Sequence, residues 1–123
     1  MLIETHTEGL IVFVKPLEKR LTASSVPDFK QSIRNAINND ANATVILDMS
    51  VVEFLDSSGL GALVSSGRLL NHKNQFRIVG AKGAVRELFR LTRMDQAFHL
   101  FDSIDEARAF DNALLDDELE LRL

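Results

Sequence analysis

The chain has 123 residues, 46% apolar and 26% charged, with formal net charge −4 and no cysteine. That length suits one domain with a single core, since domains commonly run about 100 to 150 residues. The longest unbroken apolar run, Leu10 to Val14, falls far short of the roughly 20 residues of a membrane-spanning helix. Absence of cysteine excludes disulfide scaffolds, thiolate zinc sites, iron–sulfur clusters and Cys nucleophiles together. Met1 to His6 lacks the basic leader and cleavable apolar segment of an export signal, so a cytoplasmic location is expected.

The charge is unevenly placed. Met1 to Glu53 holds 5 basic and 7 acidic residues, Phe54 to Phe101 holds 7 and 3, and Asp102 to Leu123 holds 2 and 8, giving −2, +4 and −6. The acidity is thus mostly C-terminal, and Leu115 to Glu120 reads as a solvated extension.

Two β-rich runs, Leu2 to His6 and Leu10 to Lys15, flank the turn residue Gly9 and predict a hairpin. After Pro16 comes a polar stretch. Ser25 is then placed to cap a helix with Pro27 in its first turn and Asp28 three residues on, whose Val26, Phe29, Ile33 and Ile37 make one buried stripe. Asn38 to Asn42 ends it. Val45-Ile46-Leu47 has the continuous apolar character of a central strand covered on both faces, extending to Met49.

Phe54-Leu55 leads into Asp56-Ser57-Ser58-Gly59, and Leu60, Leu63, Val64, Gly67 and Leu70 follow at helical intervals, so a helix starts near Ser57 and exits through Asn71 to Asn74. Phe76, Ile78 and Val79 form a further strand. A helix from about Lys82 to Thr92 buries Val85, Leu88 and Phe89, and Phe98 to Phe101 reads as an edge strand. Ser103 and Glu106 make an S-x-x-E capping box for a last helix with Ile104, Ala107, Phe110 and Leu114 inward. The order β-β-α-β-α-β-α-β-α implies an α/β fold: a mixed, mainly parallel sheet of about five strands with four covering helices.

Catalytic signals are sparse. His6, His72 and His99 stand far apart with no metal-ligand spacing, and His99 reads as a partly buried strand residue. Ser57 and Ser58 follow Leu55-Asp56, so there is no G-x-S-x-G elbow, and a hydrolase would lack an identifiable base. Gly59-Leu60-Gly61 lacks the third glycine of a dinucleotide loop, whose place Val64 holds. Gly59, Gly61 and Gly67 are better read as points where the helix approaches the sheet or another backbone closely. Lys82, Arg86, Arg90 and Arg93 share a helix face, which suits solvent or a docking partner better than nucleic acid, since the chain is acidic and the 82–93 segment has no stacking aromatic beyond Phe89.

The informative stretch is Phe54 to Gly61, where two hydroxyls sit at a strand-to-helix junction beside the free N–H groups of a helix N-terminus. Asp56 or Ser57 fits a helix cap, and the same residues fit an exposed functional hydroxyl.

The run Val45 to Val64, VILDMSVVEFLDSSGLGALV, resembles the signature of STAS domains, in particular the anti-sigma factor antagonists of bacterial partner-switching systems. The resemblance joins the hydrophobic strand, Asp48, Phe54-Leu55 and the D-S-S-G-L-G core, and the predicted order of elements extends it over residues 1–114 as a single STAS domain, with 115–123 as an acidic tail. Arg20-Leu21-Thr22-Ala23 resembles the segment before the family's first helix, although Lys19-Arg20-Leu21-Thr22 stands where G-x-L-D is common.

The resemblance implies that Ser57 is phosphorylated, with Asp56, Ser57, Ser58, Gly59, Leu60, Leu21 and Thr22 at the partner-binding surface. It implies a non-enzymatic protein without cofactor or metal. Its partners would be an anti-sigma factor with GHKL-type serine kinase activity, which supplies ATP and Mg²⁺, and a PP2C-type serine phosphatase; no nucleic acid or membrane is directly involved. The alternatives are a STAS scaffold or transport-complex subunit that is not phosphorylated, and a small-ligand or nucleotide-binding STAS module.

Overall fold

In the computed structural model, which describes residues 1–94 and 98–110, two antiparallel strands open the chain: β1 (Ile3–Glu8) and β2 (Ile11–Pro16). Gly9 makes the turn at φ +60°, a left-handed conformation that suits glycine. The first strand runs to Glu8, beyond the expected His6, because Thr7 and Glu8 complete the ladder opposite Val12 and Ile11. Its largely exposed Glu-Thr-His-Thr-Glu suits a sheet edge.

The polar stretch after Pro16 contains a strand that the sequence did not signal: β3 (Arg20–Leu21) pairs in parallel with β5 (Phe54–Leu55) as a separate two-residue ribbon. Helix α1 (Val26–Ile37) buries Phe29, Ile33 and Ile37 as its periodicity demands. Ser25 occupies the position before it but makes no side-chain cap. Its backbone is already helical, and its hydroxyl turns back to donate to the Thr22 carbonyl at 3.1 Å and accept from the Thr22 N–H at 3.0 Å. Asn38 and Asn39, both at positive φ, end the helix.

β4 (Thr44–Asp48) is the middle strand of the main sheet, ordered β1-β2-β4-β6-β7, and its Val45, Ile46 and Leu47 are fully buried on both faces. Helix α2 (Ser57–Gly67) follows β5. A short 3-10 turn (Lys73–Gln75) occupies the polar exit, where buried Gln75 donates to the Ala41 and Ala43 carbonyls, both at 2.8 Å. β6 (Phe76–Val79), α3 (Gly83–Leu91) and β7 (His99–Phe101) come next, and residues 104–110 are helical (α4). Leu88 is only half-buried; Val85 and Phe89 carry the inward face of α3. All pairings after the first hairpin are parallel, which is the mixed, mainly parallel sheet expected.

Register divides the sheet into two faces. Val12, Val45 and Phe76 align across β2, β4 and β6, as do Val14, Leu47 and Ile78, and this face packs on α1, α2 and α3. The opposite face carries Phe13, Ile46, Arg77 and His99, and meets α4 through Ile104 and Ala107. Arg77 is 2% exposed. Its guanidinium donates to the carbonyls of Asn74 and Ala107, each at 2.9 Å, and lies 5.0 Å from the Phe110 ring centroid. The Ser103 hydroxyl accepts from the Glu106 N–H, but the Glu106 carboxylate reaches the Asp102 N–H, so the expected box is offset by one residue. Leu114 and the 115–123 extension lie outside the described residues.

Candidate functional site

The candidate site is assembled from two segments more than thirty residues apart. In the β3–β5 ribbon Leu21 aligns with Leu55, and both side chains are buried in the core. The chain then turns at Asp56, which is extended (φ −90°, ψ −178°) and caps α2. One carboxylate oxygen accepts from the Gly59 N–H at 2.8 Å; the other accepts from the Ala23 N–H at 3.2 Å. The two capping possibilities left by the sequence therefore resolve to Asp56. A single side chain fixes both the start of α2 and the loop leading into α1.

With Asp56 as cap, Ser57 and Ser58 are the first two helical residues, and both are exposed. A hydroxyl there is reachable by a partner and lies beside first-turn N–H groups, where the helix dipole favours added negative charge. Gly59 is buried: a Cβ on it would sit 2.5 Å from the Leu21 carbonyl oxygen and 2.6 Å from Leu55 Cδ1. That is the close approach expected of it. Gly61 has nothing within 4 Å, and Gly67 meets only the Phe76 ring at ordinary contact distance, so neither needs to be glycine for space.

The remaining site residues divide by exposure. Thr22 and Leu60 are half-buried, and the Thr22 hydroxyl lies 3.2 Å from that of Ser24. Leu21 is fully buried, so its contribution to any surface is positional, through the backbone that Gly59 contacts. Sequence reasoning did not single out Phe54 and Arg20 as site residues. Phe54 is 40% exposed, and the Arg20 guanidinium carbon stands 4.2 Å from its ring centroid, directly across the ribbon. Two-residue strands have too few positions to show a period, which is why the pair was not visible.

The arginines grouped on α3 are partly engaged within the fold: Arg86 pairs with Asp102 at 2.9 Å and Arg90 with Glu87, while Arg93 lies beyond the helix at φ +58°. Elsewhere, a cleft of about 410 Å³ on the α4 face is lined by Phe13, Ile46, Ile104, Lys15, Asp48 and Arg108 among others, and by none of the candidate site residues. Among the described residues no group of three or more His, Asp or Glu is placed to hold a metal ion. No described helix is long and apolar enough to cross a membrane.

The sequence matches the STAS domain family model over residues 3–107. Among curated relatives, the anti-sigma-F factor antagonist RsfB of Mycobacterium tuberculosis is 29% identical over 68 residues, which is 55% of this chain and 56% of that protein, so the match spans about half of that relative. The anti-sigma-B factor antagonist of Staphylococcus aureus is 25% identical over 80% of this chain and 90% of its own length.

A crystal structure of an anti-sigma factor antagonist from Mycobacterium paratuberculosis has a TM-score of 0.76 at 24% identity, covering 88% of this chain and 91% of that one. The structure of the phosphorylated form of the Bacillus cell fate determinant SpoIIAA has a TM-score of 0.65 at 21% identity, covering 91% and 99%. A family model matched over most of the sequence, a five-stranded mixed sheet and the same architecture in solved relatives agree: this chain belongs to the STAS domain family.

Proposed function

We propose that this protein is a phosphorylation-controlled anti-sigma factor antagonist, with Ser57 as the phosphorylated residue. In its unphosphorylated form it binds a cytoplasmic anti-sigma factor with serine kinase activity and releases the sigma factor held there; a separate serine phosphatase restores it. The observation that carries this reading is the exposed Ser57 hydroxyl at the first position of α2, held beside the Asp56 cap. The names of the mycobacterial and staphylococcal relatives, and the phosphorylated state of SpoIIAA, support it.

Phosphorylation adds about −1.5 to −2 charge. Within the domain, the N-terminus of α2 favours that anion by about 0.3 to 1 kcal/mol, so the fold persists. At an interface the same group must be desolvated beside Asp56 and against surfaces shaped for a neutral hydroxyl. Opposition of about 3 to 4 kcal/mol weakens binding several-hundred-fold, which suffices for a switch.

Phosphosite mass spectrometry after incubation with the partner kinase and ATP, together with binding of Ser57→Ala and Ser57→Asp, tests this. Ser57→Ala is expected to bind and resist phosphorylation, and Ser57→Asp to fold and fail to bind. Wild-type affinity in Ser57→Asp overturns the charge mechanism; phosphate found elsewhere overturns the site.

A further inference from the structure

We infer that Arg20, its guanidinium carbon over the Phe54 ring, is the residue by which this surface selects a protein partner presenting an acidic side chain. The inference rests on the function proposed above and adds the chemistry of the partner.

The pair sits at one register position of the β3–β5 ribbon, Arg20 opposite Phe54, with the guanidinium carbon 4.2 Å from the ring centroid. A guanidinium held over an aromatic ring still carries N–H donors for another group, in the fork that matches a carboxylate. The ring also restrains a long side chain, so less conformational freedom remains to be lost when a partner arrives. Phe54 keeps 40% of its surface exposed beside the cation. Arginine and aromatic side chains of this kind are the usual anchors of protein interfaces.

Among the described residues Arg20 has no ion-pair partner, although Glu18 and Asp28 line the same cleft, where Asp28 pairs with the N-terminal ammonium. Arg86, Arg90 and Arg108 each pair with a carboxylate, whereas among the described residues Arg20 has none within 4.0 Å. Its neighbour Lys19 is exposed and of the same sign, and Glu53, exposed beside Phe54, makes no ion pair with either. The ribbon runs directly into Asp56 and Ser57, and the Asp56 carboxylate ties it to the loop after β3, so Arg20, Phe54 and Ser57 are carried on one rigid block. The fitting partner surface has an aliphatic contact for the Phe54 ring and an Asp or Glu at its margin for Arg20. Nucleic acid, the other polyanion, is disfavoured by the net charge of −4.

The probe is the anti-sigma factor that binds the Ser57→Ala chain, identified by mass spectrometry, purified and titrated calorimetrically against full-length variants. Arg20→Gln is expected to weaken binding about 30-fold, the scale of an interface anchor. Arg20→Glu is expected to weaken it further, and Arg20→Lys to fall between wild type and Arg20→Gln, because charge without the planar fork is retained. Thermal unfolding should be unchanged in all three. Suppressors selected in the partner against Arg20→Glu should be Asp or Glu to Lys or Arg. Binding of Arg20→Glu within about twofold of wild type overturns the inference and leaves the proposed function standing. If neither wild type nor Ser57→Ala binds any anti-sigma factor, the proposed function itself falls. Arg20-dependent binding of a duplex or single-stranded oligonucleotide, in place of the protein, overturns the acidic-protein assignment.

Discussion

Leu21 and Gly59 meet backbone to backbone, with the Leu21 carbonyl oxygen 2.5 Å from where a Gly59 Cβ would stand. On helix propensity alone, Gly59→Ala would gain about 1 kcal/mol. The clash is with a carbonyl and with buried Leu55, neither of which can swing aside, so a net loss of about 1 to 3 kcal/mol is expected. Gly61→Ala, facing open space in the same helix, should instead gain up to about 1 kcal/mol. Urea unfolding of the two variants checks the contrast, and a loss of similar size in both would refute the packing explanation.

The cap is testable separately. Asp56→Ala removes the acceptor of the Gly59 and Ala23 N–H groups and should lower the unfolding free energy by about 1 to 2 kcal/mol. Asp56→Asn keeps one acceptor and should lose less. Hydrogen exchange at Ala23 should accelerate in Asp56→Ala, since that amide lies in a distant segment and would not respond to a purely local fraying of α2.

Ser57→Asp places a carboxylate in the first turn of α2, where the helix dipole favours it. Its melting temperature should match or slightly exceed that of wild type at low ionic strength, and the difference should vanish in about 1 M salt. A lowered melting temperature would mean that the proposed switch acts through unfolding and not through the interface.

The main elements were legible because each carries a period or a run: Phe29, Ile33 and Ile37 on α1, Val45 to Leu47 in the central strand, Phe76 to Val79 in its neighbour. The D-S-S-G core marked the junction, and Asp56 proved to be its cap. Other features depend on residues distant in sequence. Ser25 has the composition of a cap, yet its hydroxyl is consumed by Thr22. β3 exists only because Leu55 lies beside Leu21. A charged residue in a strand reads as solvent-facing, and nothing local showed that α4 would cover Arg77 and offer the Ala107 carbonyl.

That arginine gives a further prediction. Arg77→Met approximates the apolar volume but removes the guanidinium that donates to the Asn74 and buried Ala107 carbonyls. A loss of about 1 to 3 kcal/mol is expected, measured by denaturant unfolding, with α4 loosened before the rest of the sheet by hydrogen exchange.

His99 should make stability pH-dependent. Partial burial, then the nearby charges of Lys73 and Arg77, hold its pKa below the ordinary 6.5. The fold therefore favours the neutral ring, so stability is complete above about pH 6.5 and declines as pH falls through the lower folded-state pKa. His99→Gln should flatten the melting-temperature profile between about pH 7 and pH 5; an unchanged slope would assign it to other groups.

The bond from the Ala23 N–H to Asp56 closes 33 residues of chain. An extended or partly synthesised polypeptide carries the same Asp-Ser-Ser letters but not the geometry around them. An enzyme that reads Ser57 through that capped junction, as proposed, would thus act on folded molecules and pass over nascent or damaged ones.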